Sequence, residues 1–195
     1  MSTNNKIYQL KVTLMDVTPV IWRKIQVPQD ILLPDLHKVI QTAMGWKNSH
    51  LHQFEHKRNF YAAPTPWGEM ESEDYRDVKL GQLLKKENDK LIYTYDFGDS
   101  WQHNVVLEEV HPPTEGGTYP VCVSGKNACP PEDCGGPWGY MDLMMIMKNP
   151  KHPEHKEMKD WLGGDLYSSK FDKKAINKQL AMKDYGILTF DVEFQ

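Results

Sequence analysis

From Ile7 to Leu14 apolar and polar positions alternate. Tyr8, Leu10, Val12 and Leu14 share one side, and Gln9, Lys11 and Thr13 the other. A period of two puts every second side chain on one face of a strand, so residues 7–14 read as a half-buried strand. Asp16 to Pro19 supplies a turn, and residues 20–27 resume the alternation with Ile21, Ile25 and Val27 inward. The two strands form a predicted hairpin. The period then changes. Leu36, Val39, Ile40, Ala43 and Met44 fall at i, i+3, i+4, i+7 and i+8, an apolar stripe along one face of a helix. Pro34 suits the first turn of that helix and Gly45 the position just past its end.

Further on, residues 50–57 suggest a third strand, residues 61–77 an acidic loop, and Leu80, Leu83 and Leu84 a short helix. Residues 91–97 and 101–110 read as strands joined by the tight turn Gly98-Asp99-Ser100. The predicted class is α+β: a mixed β-sheet with a β-β-α-β-(α)-β-β core that resembles the β-grasp plan, followed by a C-terminal helical segment. Composition shifts after residue 110. Residues 111–140 are rich in Pro, Gly and Cys and too long for an ordinary loop, so something must tie them down. Helical stretches follow at 138–148, 153–162 and 172–182, the last with Asp172 as N-cap and Phe171 and Ile176 placed as a hydrophobic staple. Residues 187–194 read as a last strand. The expected organisation is a core over 1–110 with 111–195 packed on it as one unit.

Composition narrows the function classes. The chain has 195 residues, 39% of them hydrophobic, with six Trp, nine Tyr and six Phe to build a core. Net charge is −4 and the pI about 6.1, without the basic stripe of a protein that neutralises many phosphates, which argues against direct nucleic-acid binding. No apolar run reaches membrane-spanning length and no secretion signal is seen, so the expected setting is cytoplasmic and the expected partner a protein or small ligand. Three cysteines without a secretion signal argue against a disulfide framework.

Chemistry-bearing residues gather in a few places. Asp96, Asp99 and His103 flank the predicted hairpin turn, with Phe97 and Trp101 between them. Two carboxylates and an imidazole can bind a metal or act as acid and base; equally, the Asp side chains can bond turn N–H groups while the aromatic rings pack. Asp96-Phe97-Gly98 matches the kinase metal tripeptide, but the glycine-rich loop and catalytic loop that go with it are missing. His50 and His52, two apart on a strand, point to one face and start a zinc site that His103 would complete; His52 packing beside Phe54 is the plainer alternative. Cys122, Cys129 and Cys134, spaced C-x6-C-x4-C, could hold a structural zinc with His111, His152 or His155, or simply pack as small apolar residues. Glu132 and Asp133 beside Cys134 raise a thiol pKa and weaken a nucleophile reading. Arg23, pointing opposite to Trp22, can clamp a carboxylate or phosphate, or form a surface ion pair, or lay its stem over a ring. The methionines of residues 141–147 and the aromatic rings of Trp67 and Trp138 suit an adaptable groove or ordinary packing. Walker, dinucleotide, serine-hydrolase and zincin motifs are absent.

Several phrases in order carry a family resemblance: P-V-I-W-R-K-I; L-P-D-L-H-K-V-I-Q-T-A-M-G-W followed by S-H-L-H-Q-F; Y-D-F-G-D-S-W-Q-H; and A-C-P-P-E-D-C-G-G with G-Y. Together they resemble the plasmid pRiA4b ORF-three-like family from about Ile7 to Phe171. The resemblance implies an α+β fold. It implies no catalytic residues, because the family's members are largely uncharacterised; some resemble mobile-element passenger proteins with a resolvase-like label. This chain shows neither a catalytic serine in an Arg-rich setting nor a basic recognition helix. Two readings remain open: a binding or interaction module, accessory to a mobile-element or DNA-transaction system, and a metal-dependent hydrolase using the Asp/His cluster.

Overall fold

The computed structural model describes residues 6–64, 72–166 and 170–187. The alternating segments become strands β1 (Ile7–Leu14) and β2 (Trp22–Pro28), and the 3.6-period stripe becomes α1 (Leu33–Met44). There follow β3 (His52–His56), β4 (Asn59–Ala62), β5 (Glu73–Asp74), the one-turn α2 (Leu80–Leu83), β6 (Lys90–Tyr95) and β7 (Trp101–His111). The last part holds β8 (Val121–Lys126), α3 (Gly136–Lys148), α4 (His155–Leu162), α5 (Lys173–Leu180) and a 3-10 turn at Lys183–Gly186.

One sheet takes all eight strands of the described residues, in the order β5-β4-β3-β6-β7-β1-β2-β8. Its ladders are antiparallel except for the short parallel β4–β5 pair at one edge. The α+β class therefore holds; a β-grasp plan does not follow from this strand order. α1 crosses the sheet with Leu33, Leu36, Val39, Ile40, Ala43 and Met44 buried against Tyr8, Leu10, Ile25, Tyr93 and Leu107. Each fully buried Leu or Ile contributes roughly 1.5–3 kcal/mol over its exposed state. The Tyr8 hydroxyl, at the same core, donates to the Leu84 carbonyl at 3.0 Å.

Three strands depart from the sequence expectation. β4 pairs with β3 and runs into the expected acidic loop of 61–77, inside which β5 pairs with β4. β8 pairs with β2 inside the Pro/Gly/Cys-rich segment, which is thereby tied to the sheet. The Asp172 cap is present: its carboxylate accepts from the N–H groups of Lys174 and Ala175. Arg23 shares the inward parity of Ile21 and Ile25, so it is buried at 2% exposure and forms no surface ion pair among the described residues. Phe97, expected to pack, is 37% exposed. Trp67 and most of the predicted last strand lie outside the described residues. No helix among the described residues is long and apolar enough to cross a membrane.

Candidate metal centre

The β6–β7 turn is built by Asp96. Its backbone takes a left-handed conformation (φ 58°), which Asp tolerates better than most residues. Its Oδ1 accepts from the N–H of Gly98 (2.9 Å) and of Asp99 (3.3 Å), and its carbonyl accepts from Ser100 N–H (2.6 Å). This is the turn chemistry expected of the segment, and it leaves Asp96 Oδ2 free of turn contacts. The Asp96 N–H in turn donates to Leu51 O at 2.8 Å, bringing the segment before β3 alongside. That segment carries His50.

A third segment closes over both. The Trp46 indole donates to Pro130 O at 3.0 Å. Glu132 Oε1 accepts from the Tyr95 hydroxyl at 2.5 Å and from Lys47 N–H at 3.2 Å. Burial and the Glu132 carboxylate together hold the Tyr95 hydroxyl protonated, with its pKa pushed well up. Gly136, at φ 68°, lies so close to the Asp99 carbonyl that a Cβ would run into it. The loop from Pro130 to Gly136 is thus held at both ends, and Asp133 within it, also left-handed at φ 59°, turns toward His50.

His50 Nε2 lies 3.6 Å from Asp96 Oδ2 and 3.1 Å from Asp133 Oδ1. The three donor atoms all fall within 4.8 Å of one another, and theirs is the one such group of three or more metal-capable side chains among the described residues. Nε2 is shut off from water, yet neither carboxylate offers it hydrogen-bond geometry. A buried ring nitrogen between two carboxylates without a hydrogen bond is the arrangement expected where a cation shares all three. Depth grades across the cluster: the side chains of Asp96, His50 and Asp133 are 12%, 28% and 70% exposed. One side of the site therefore opens to solvent.

The other sequence candidates are elsewhere. His52 is inward on β3, stacked face to face on His37 with ring centroids 3.4 Å apart, and its Nε2 meets the Tyr75 hydroxyl at 2.9 Å. His52 and Phe54 both meet the Tyr75 and Tyr93 rings, while His50 lies ahead of the strand where its parity does not apply. His103 is fully buried; its Nδ1 donates to Tyr93 O at 3.1 Å and its ring meets Trp46 edge-on. Trp101 is fully buried too. Asp99 stays outside the cluster, one carboxylate oxygen buried without a partner. Trp22 lies on the outer face under Lys11, 5.7 Å from its ring centre. The sulfurs of Cys122, Cys129 and Cys134 do not gather around one point. Burial pushes the Cys122 and Cys129 thiols up to about 11, and burial reinforced by Asp99 and Asp133 pushes Cys134 up to about 12. The sequence presents Asp133 as a neighbour of that thiol and as part of a family phrase, not as a metal ligand. The signal that could have found it is its place in the P-P-E-D-C-G-G phrase, but nothing in the spacing joins that phrase to His50.

Comparison with known proteins agrees over most of the chain. The family model described as Plasmid pRiA4b ORF-3-like protein matches residues 6–179. The chain is 38% identical over 175 residues to the uncharacterized protein y4hQ of Sinorhizobium fredii (strain NBRC 101917 / NGR234), covering 88% of this chain and 86% of that one. It is also 38% identical to the protein of unknown function MM3350 from Methanosarcina mazei Go1. The crystal structure of MM3350 resembles this fold with a TM-score of 0.80, covering 88% of this chain and 98% of that one.

Proposed function

The chain belongs to the plasmid pRiA4b ORF-3-like family, and we propose that it is a binding module whose working centre is a divalent metal ion held by His50, Asp96 and Asp133. The observation that carries this reading is His50 Nε2, enclosed between two carboxylates with no hydrogen bond of its own. One imidazole and two carboxylates suit zinc, manganese or ferrous iron better than a soft, thiolate-seeking metal. Three protein donors leave coordination positions open on the solvent side, where a small ligand or a side chain of a partner protein would complete the shell. A role accessory to a mobile-element or DNA-transaction system would make that partner another component of the system.

The test is calorimetric titration of metal-stripped protein with Mn²⁺ and with Zn²⁺. About one ion per chain is expected, with affinity falling at least tenfold in Asp133→Asn. Asn accepts the left-handed backbone, and the side chain is largely exposed, so the thermal melt should stay unchanged. Undiminished binding by Asp133→Asn, or none by the parent chain, would refute the reading.

The open side of the site supports a second reading, metal-dependent hydrolysis, in which the ion lowers the pKa of a bound water. Metal-stimulated cleavage of model esters or phosphoesters that disappears in Asp133→Asn would establish it; binding without turnover would leave the module reading.

A further inference from the structure

Arg23 sits on β2 in the inward register and is 98% buried. A guanidinium taken out of water is costly unless something compensates its charge. Its hydrogen-bond partners among the described residues are all neutral. Nε donates to Ala43 O at 2.8 Å, Nη1 to Trp22 O at 2.8 Å and Lys126 O at 3.1 Å, and Nη2 to the Cys129 sulfur at 3.5 Å. Arg23 forms no ion pair among the described residues. Carbonyl dipoles fix the fork in place without neutralising it, and its Nη2 end rests on a thiol, a weak acceptor. The Phe171 ring lies 4.7 Å from the guanidinium carbon. Glycine at position 125 permits that stacking, because a Cβ there would come within 2.7 Å of the ring and 2.9 Å of Arg23 Cδ.

This fixed cation borders a cavity of about 460 Å³, within the size range of small-ligand sites. Met44, Pro130, Leu166 and Ile176 make much of its wall apolar. Its two carboxylates are committed elsewhere: Asp165 pairs with Lys159 at 2.8 Å, and Asp172 caps α5. None of the three proposed metal donors lines it.

We propose that this cavity binds a small amphipathic monocarboxylate, with its head on Arg23 Nη2 beside Cys129 and its hydrocarbon body against the apolar wall. A single negative charge matches the single buried cation. Lys170 also lines the cavity but is exposed, so a dianionic phosphate would meet one buried cation beside the carboxylates of Asp165 and Asp172, where a monocarboxylate brings half that charge. Carboxylate oxygens are also far better acceptors for Nη2 than the sulfur they would replace.

Calorimetric titration of the full chain with octanoate and with 1-octanol tests this. Octanoate should bind at least tenfold tighter than the alcohol, and Arg23→Gln should abolish that preference. Because Arg23→Gln removes donors from three carbonyls and can fail to fold, Ala175→Trp provides the second arm. Ala175 lines the cavity from the exposed side of α5, so an indole there fills the space while Arg23 stays in place. Ala175→Trp should lose octanoate binding and keep the parent's melting temperature. Equal affinity for octanoate and octanol, octanoate binding that survives Ala175→Trp, or no octanoate binding by the parent chain would each overturn the proposal.

Discussion

Lowering the pH from 7 to 5 should destabilise this fold through its buried histidines, by an amount the structure sets. His37 and His103 are both pushed down to about 4, by burial above all. The hydrogen bonds agree with neutral rings. Asn48 Oδ1 accepts from His37 Nε2 at 2.7 Å, so Nδ1 is the lone-pair nitrogen that takes the Tyr93 hydroxyl at 2.7 Å. His103 donates through Nδ1 to Tyr93 O, and its Nε2, the atom a proton would enter, has no partner. In the unfolded chain both rings titrate near 6.5. As pH falls below that value the unfolded state takes up protons first, so stability drops until the pH reaches the folded-state value. Linkage gives about 2 kcal/mol per ring between pH 7 and 5, roughly 4 kcal/mol for the pair. That is a large part of the ~5–15 kcal/mol that holds a typical domain folded. His52, depressed further by burial and by its stacked neighbour His37, acts in the same direction. The carboxylates whose pKa values partners hold down, such as Asp74 beside Arg76 and Asp184 beside Lys38, lose their pairing only below about pH 4, outside the window. Urea denaturation followed by circular dichroism at fixed ionic strength should show the midpoint falling by about 2 M for a slope near 2 kcal/mol/M. His103→Phe, which keeps a ring in the site and removes the proton, should cut the change by about 2 kcal/mol. A midpoint that moves by less than about 0.5 M in the parent chain would refute the reasoning.

Other expectations concern single contacts. Asp172→Ala removes both cap hydrogen bonds of α5 and should cost about 1 kcal/mol in denaturant melts. Gly136→Ala combines a left-handed backbone with a Cβ driven into the Asp99 carbonyl, so it should cost more than about 2 kcal/mol and weaken Mn²⁺ binding by shifting the Asp133 loop. All three thiols should react with Ellman's reagent at pH 8 far more slowly in the native protein than in urea, since burial holds their thiolate fractions low. A native thiol reacting at the rate of free cysteine would show that its surroundings are wetter than this fold makes them.

The β1–β2 strands, α1 with its Pro34 entry and Gly45 exit, the β6–β7 turn and the Asp172 cap were all legible in the sequence, because each rests on contacts within a few residues. Alternation even carried Arg23's parity, the same as that of Ile21 and Ile25; what it could not supply was that this face is covered, by α1 on one side and Phe171 on the other. β8 escaped notice because its ladder is with β2, roughly a hundred residues earlier, and its own composition is that of a loop. The candidate metal centre divides in the same way. His50 and Asp96 stood out by residue type, but their company did not: strand parity wrongly joined His50 to His52, and distance along the chain hid Asp133. A strand's period fixes which side chains share a face only while the strand lasts, and His50 lies before it begins. Bringing Asp133 to His50 took a tertiary event, the docking of the Pro130–Gly136 loop through Trp46, Glu132 and Gly136. Local pattern thus determined the elements, whereas the sites formed where distant segments were packed together, by contacts between residues that no short-range spacing relates.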